Sequence, residues 1–208
     1  LVVSEYGIGP VQNVVYPNRV LREAGLLKAL WQESVGEILD AGASRAFAVC
    51  DHQMAHLYVN NPEDIPLVRE IFDGMPGVGR VFGQKEKRSV GLDHPRSGEL
   101  VLEASAESWF AYPYWLDEAR VPDFARTVDI HRKPGYDPAE LFFDPALRFV
   151  KTRVARKVLA RKMGFRNLLD VISTDPSLVR GSHGREPESD SLRPIALGTP
   201  GLEEPEDG

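Results

Sequence analysis

An α/β fold is predicted by three features of the sequence: apolar runs of strand length, amphipathic stretches of helical period between them, and glycine-rich loops where the runs stop. The 208 residues suffice for one α/β domain with a sizeable core, or for a core with a small appendage. A hydrophobic fraction of 42% and a charged fraction of 27% are ordinary for a globular protein. The net charge of -6 argues against a dedicated binder of nucleic-acid polymer, which carries a basic excess. It leaves a small anionic substrate open, because the charge in a cleft can oppose the global sign.

Residues 1–4 form an apolar run that stops at Glu5-Tyr6-Gly7-Ile8-Gly9-Pro10, a pattern predicting a buried strand and then a glycine-rich loop. In α/β sheets ligands are met just past the C-terminal end of a strand. Residues 12–16 suit a short strand. Pro17-Asn18 starts a helix expected to run to Leu30, with Val20, Leu21, Ala24, Leu27 and Leu30 or Trp31 towards the core and Gly25 weakening it. Residues 46–50 and 55–59 read as neighbouring strands joined by a turn at Asp51-His52-Gln53. Asn61-Pro62-Glu63-Asp64 is a helix start, with proline in the first turn and acids at the positive end of the dipole. The helix over 65–75 turns Leu67, Val68, Ile71 and Phe72 to one side, and residues 77–82 follow as a strand.

Residues 85–96 are charged and punctuated by glycine and proline, so a mobile loop is expected. Residues 99–104 read as a strand returning to the main sheet. The aromatic stretch around Trp109, Phe110, Tyr112, Tyr114 and Trp115 suits core or interface packing, with stacking of a nucleobase as the sharper alternative. Residues 117–145 are rich in proline and charge, as in a long loop with short helices. Residues 151–163 predict a basic amphipathic helix burying Val154, Val158, Leu159 and Met163; its lysines and arginines read as a solvated face rather than a phosphate or lipid site. The acidic residues 199–208 are expected to be disordered.

Cys50 is the only cysteine, which excludes an intramolecular disulfide and a thiolate metal cluster, and tilts the compartment slightly towards the cytoplasm. No apolar run approaches the ~20 residues that span a membrane. The chain opens on Leu1 without methionine, inside a run that reads as a strand, so the start reads as a cut and the missing leader segment is uninformative.

The chemistry-bearing candidates are five histidines and their neighbours. His183, in Gly181-Ser182-His183-Gly184, is a loop residue or a ligand whose small neighbours let a metal or phosphate approach. His52 and His56 stand four apart, but the strand-like runs flanking them favour structural roles over a helical zinc pair. Asp129 and His131 alternate, so on an extended chain they share a side. They can bind one cation, or Asp129 can orient the His131 ring, or the segment is a surface loop held by salt links.

Together these elements resemble the nucleotide pyrophosphatase/phosphodiesterase family of the alkaline phosphatase superfamily, in particular the C-terminal portion of a bacterial member. Members carry a strand ending in Ser-Asp-His-Gly, whose Asp and His bind one of two zinc ions; Ser4-Glu5-Tyr6-Gly7 stands in that place here. Their glycine-flanked Ser-His-Gly, binding the other zinc, is similar to residues 181–184, and their α/β cap resembles residues 47–82. The resemblance implies an alkaline-phosphatase-like sheet flanked by helices: residues 1–45 in the catalytic core, 46–95 as a cap-like insertion and 96–198 as the return to the core. It implies a phosphodiesterase or nucleotide pyrophosphatase acting on a small phosphate ester with one or two zinc or other divalent ions. Glu5, His183 and His131 would be metal ligands, and Tyr6, Arg132 and Arg185 substrate contacts.

Two departures bear on this. Glutamate replaces aspartate as a donor, and Tyr6 replaces histidine, although a phenol ligates poorly until it loses a proton near pH ~10. The family's threonine or serine nucleophile lies upstream of the signature strand, so this chain alone should not turn over substrate. The rival readings are an inactive relative that binds a partner or small molecule, and a hydrolase or transferase of another phosphate, phosphonate or sulfate ester.

Overall fold

The computed structural model describes residues 1–198, so the acidic stretch expected to be disordered lies outside the described residues. In chain order the strands are β1 (Val2–Val3), β2 (Gly9–Pro10), β3 (Asn13–Val15), β4 (Ala29–Gln32), β5 (Gly36–Leu39), β6 (Ala46–Asp51), β7 (Met54–Val59), β8 (Val78–Phe82), β9 (Leu100–Ala104), β10 (Ser108–Phe110), β11 (Gly135–Tyr136), β12 (Gly181–Ser182) and β13 (Ala196–Leu197). The helices are α1 (Pro17–Glu23), α2 (Ile65–Phe72), α3 (Gln84–Ser89) and α4 (Val150–Lys162). Five strands form the main mixed sheet in the order β11-β6-β7-β9-β8. The hairpin β6–β7 alternates buried and half-exposed residues, as expected of strands with one face on a core. The sheet includes β9, so the strand expected to return to the core lies between β7 and β8, beside the cap-like elements.

The core lies between this sheet, α1, α2 and the aromatic stretch. Leu21, Leu57, Phe72, Leu100 and Leu102 pack there with Phe110, Tyr112, Tyr114 and Trp115. Core packing is therefore what the aromatics do. Asn18, fully buried on α1, donates to the carbonyls of Ala48 (2.9 Å) and Tyr112 (3.2 Å) and accepts from the Ala48 amide at 2.7 Å. It ties the helix to β6 and to the aromatic stretch at once.

Several local expectations need correction. The helix from Pro17 stops at Glu23, not Leu30, because Gly25 turns the chain at φ 72° and residues 29–32 pair with β5 as a hairpin. Leu30 and Trp31 are consequently exposed. The opening run is not buried: β1 pairs only with β13, leaving Val2 and Val3 mostly exposed. The supposed mobile loop contains α3, whose first turn is closed by the Gly83 amide donating to Glu86 at 3.1 Å. Helix α2 stops at Phe72 rather than residue 75, ahead of Gly74 at φ 74°, and its Leu67 is exposed. Helix α4 forms where expected, yet none of its residues is buried. Its anchored side is polar, with Arg153 on Asp170 at 2.6 Å and Lys157 donating to the Leu168 carbonyl at 2.6 Å. Val158, Leu159 and Met163 are left exposed.

The two ends of the described chain meet. β1 pairs antiparallel with β13 and β2 with β12, and the Ser4 amide donates to the Ile195 carbonyl at 2.8 Å. Gly7 is needed here, since a Cβ would lie 2.3 Å from the Leu192 carbonyl oxygen. Among the described residues no helix is long and apolar enough to cross a membrane.

Candidate functional site

The paired ends carry Tyr6 and His183 to the tip of the β6–β7 hairpin. That tip is a two-residue turn with His52 at φ 54°, and it is fixed from several sides. The Gln53 amide donates to the His183 carbonyl at 2.9 Å, and the Phe110 amide donates to the His52 carbonyl at 2.7 Å. The buried Gln53 side chain donates to the carbonyls of Ser108 (3.0 Å) and Ala106 (3.2 Å). On the other side of the tip, β11 runs parallel to β6 with Tyr136 opposite Asp51. Gly135 makes that pairing possible: it has φ 117°, and a Cβ would fall 1.9 Å from the Cys50 carbonyl oxygen.

The result is a column of four rings from four separate segments. Tyr6 lies on His183 with centroids 3.6 Å apart and planes within 8°. His183 faces His52 at 4.0 Å, tilted by 32°. His52 in turn faces Tyr136 at 5.1 Å. The Asp51 carboxylate meets His52 Nδ1 at 2.6 Å, which orients that ring and leaves Nε2 for a ligand. The hydrogen bond from His52 is the main reason the Asp51 carboxyl is held below its ordinary range. Burial, followed by the neighbouring His52, pushes the His183 imidazole down. Burial likewise pushes the Tyr136 phenol up, with Glu140 adding to it.

Tyr6, His52, Tyr136 and His183 line an open cleft of about 770 Å³, with Glu5, Asp51 and Arg180 as its charged residues. A smaller adjoining hollow of about 220 Å³ shares Ser182 and His183 with it and adds Arg185, which is paired with Glu188 at 2.9 Å. Of the residues singled out from the sequence, Glu5, Tyr6 and His183 therefore share one cleft and Arg185 lies next to it. His131 and Arg132 do not line it. His131 is exposed on a 3-10 turn, and Arg132 pairs with Asp123 at 3.5 Å with its guanidinium 4.8 Å from the Phe124 ring. His56 has a structural role, accepting from the Gly98 amide at 3.2 Å. His52, Asp51 and Tyr136 are the candidates sequence reasoning missed. A carboxylate-histidine pair at a turn was the available signal, but nothing local tells that the turn faces residue 183.

The donors present do not make a complete metal site. Among the described residues no three His, Cys, Asp or Glu side chains are grouped to hold one ion. His52 and His183 meet ring against ring at 4.0 Å, tilted by 32°, rather than as a grouped set of ligands. The Tyr6 phenol ring covers one face of His183.

The family model described as type I phosphodiesterase / nucleotide pyrophosphatase matches residues 1–137. The chain belongs to that family. Among curated proteins none matches it. Two solved structures of phosphonoacetate hydrolase from Sinorhizobium meliloti 1021, one with phosphonoformate and one with phosphonoacetate, are similar at 20% identity over 58% of this chain, with a TM-score of 0.38. This phosphodiesterase-family chain spans 29% of the length of that hydrolase. Its matched region includes Tyr6, Asp51, His52 and Tyr136, whereas His183 lies outside it.

Proposed function

We propose that the whole protein hydrolyses a phosphate ester and that this chain supplies a substrate-binding wall of the active site. The observation that carries this reading is the family match over the segment that holds Tyr6, Asp51, His52 and Tyr136. In such a reaction an oxygen nucleophile attacks phosphorus, the bond to the leaving alcohol breaks, and the alcohol takes up a proton. The reading takes the nucleophile from outside the described residues. Asp51 fixes the His52 ring, so His52 Nε2 and the His183 ring edge can donate to phosphoryl oxygens in the cleft. Arg185, beside the cleft, offsets phosphate charge once it leaves Glu188.

A divalent ion would supply charge stabilisation and an activated nucleophile. Glu5 and His183 would hold it, with Asp51 and His52 in the same cleft, but among the described residues no three of these side chains are grouped to hold one ion. No step is therefore routed through a metal. In the proposed architecture the cap-like unit of residues 46–95 also includes β9, which lies between β7 and β8.

The test is release of 4-nitrophenolate from bis(4-nitrophenyl) phosphate by the full-length protein. His52→Ala and His183→Ala should each lower kcat/KM by about a hundredfold. Wild-type rates in both variants would remove the cleft from the reaction. One observation favours a second reading, a relative that binds without turnover: Tyr6, which the resemblance aligns with a ligand histidine, stacks on His183. Under that reading the protein binds phosphate esters but hydrolyses none.

A further inference from the structure

The cleft's lining carries an inference about what enters it, and this inference rests on the reading of the site just given. Beyond the ring column its walls are apolar, formed by Ile8, Leu141, Phe142, Leu178 and Val179. Leu141, Phe142 and Ile8 are exposed at 70%, 38% and 64%. A volume of about 770 Å³ suits a small organic ligand rather than a free inorganic ion. The charges point the same way. Among the described residues Arg180 is the only Lys or Arg lining the cleft, and its Nε–H already donates to the Ser177 carbonyl at 3.0 Å. Glu5 and Asp51 oppose it, so each phosphate added to a ligand meets further repulsion. A polyphosphate needs a cradle of several cations; this lining offers Arg180 alone, and Arg185 beside it is already paired with Glu188. One phosphoryl group does have polar partners: Arg180, the imidazole edges and Ser182. Ser182 is 1% exposed and its Oγ has no hydrogen-bond partner among the described residues.

We infer that the cleft takes a singly charged phosphodiester, or a phosphonate monoester, whose alcohol is apolar and aryl in character, in preference to a nucleoside di- or triphosphate. The aryl group lies against Phe142 and Leu141, and the single phosphoryl charge sits between Arg180 and the His52–His183 edge. A phosphodiester of this kind desolvates one negative charge on entry, where a nucleoside diphosphate desolvates several.

Calorimetric titration of this chain with diphenyl phosphate, dimethyl phosphate and ADP tests the inference without requiring turnover. Diphenyl phosphate is expected to bind at least about tenfold more tightly than either of the others. Phe142→Ala should weaken diphenyl phosphate about fivefold or more and leave dimethyl phosphate unchanged, while Phe142→Leu restores part of the loss. Equal or tighter binding of ADP overturns the inference, as does failure to bind diphenyl phosphate or indifference to Phe142→Ala in a variant with a wild-type circular dichroism spectrum. The failures are separable. Diphenyl phosphate bound tightly by a full-length protein that hydrolyses no ester sinks only the hydrolase reading, whereas hydrolysis with no preference for aryl over methyl esters sinks only the ligand class.

Discussion

In the proposed site Tyr6 is the residue that departs most from a metal ligand. Its ring covers His183 at 3.6 Å, and among the described residues no three His, Cys, Asp or Glu side chains are grouped to hold one ion. Tyr6→His would place an imidazole beside Glu5 and His183, and zinc affinity measured by calorimetry should then rise at least about tenfold over wild type. Unchanged affinity would mean that Tyr6 does not occupy a ligand position. Glu37 makes a different residue-scale case. Its carboxylate is almost wholly buried and is held by Arg22 at 2.7 Å and Arg120 at 2.5 Å. The hydrogen bond from Arg22 is the first cause that keeps its acidity stronger than that of a free glutamate. A folded value below the unfolded one means the contribution is full above the unfolded pKa and fades as pH falls through the folded value. Glu37→Gln should cost about 2–4 kcal/mol in denaturant melts at pH 7, with the gap to wild type closing in acid.

At the scale of elements, strand β11 depends on a glycine and helix α4 on its polar side. Gly135→Ala drives a Cβ into the Cys50 carbonyl at a positive φ, so β11 should detach from β6 and carry Tyr136 off His52. The expected loss is about 2–4 kcal/mol, with faster exchange of the Cys50 amide, which now donates to the Pro134 carbonyl at 3.1 Å. For α4, Leu159→Gln should change stability by less than about 0.5 kcal/mol, whereas Asp170→Ala, which releases Arg153 and Lys157, should cost about 1–2 kcal/mol. The reverse ranking in thermal melts would show that the apolar face is the buried one. These elements also show where the sequence is legible. The β6–β7 hairpin and the start of α2 follow from alternation and from Asn61-Pro62, signals that act over a few residues. The end of α1 is not legible, because helical spacing through Leu27 and Leu30 looks the same whether or not Gly25 turns the chain. Nor is the exposure of α4, because periodicity marks an apolar face without saying what lies against it.

For the whole molecule, the site is a product of long-range pairing. Glu5, Tyr6 and His183 were legible from their motifs, and the structure brings them into one cleft. Asp51, His52 and Tyr136 were not, since their part arises only where the hairpin tip, β11 and the paired ends meet. His131 sits in a charged loop that reads like a ligand cluster, yet the fold leaves it outside that cleft. The pairing of β2 with β12 has a consequence for the order of assembly. Hairpin contacts in β6–β7 close short loops, whereas Tyr6 waits for residue 183 across nearly the whole described chain, an entropically late event. A nascent chain can therefore build its sheet before it owns a cleft, and in refolding the tyrosine signal of Tyr6 should mature after the far-ultraviolet signal of the sheet.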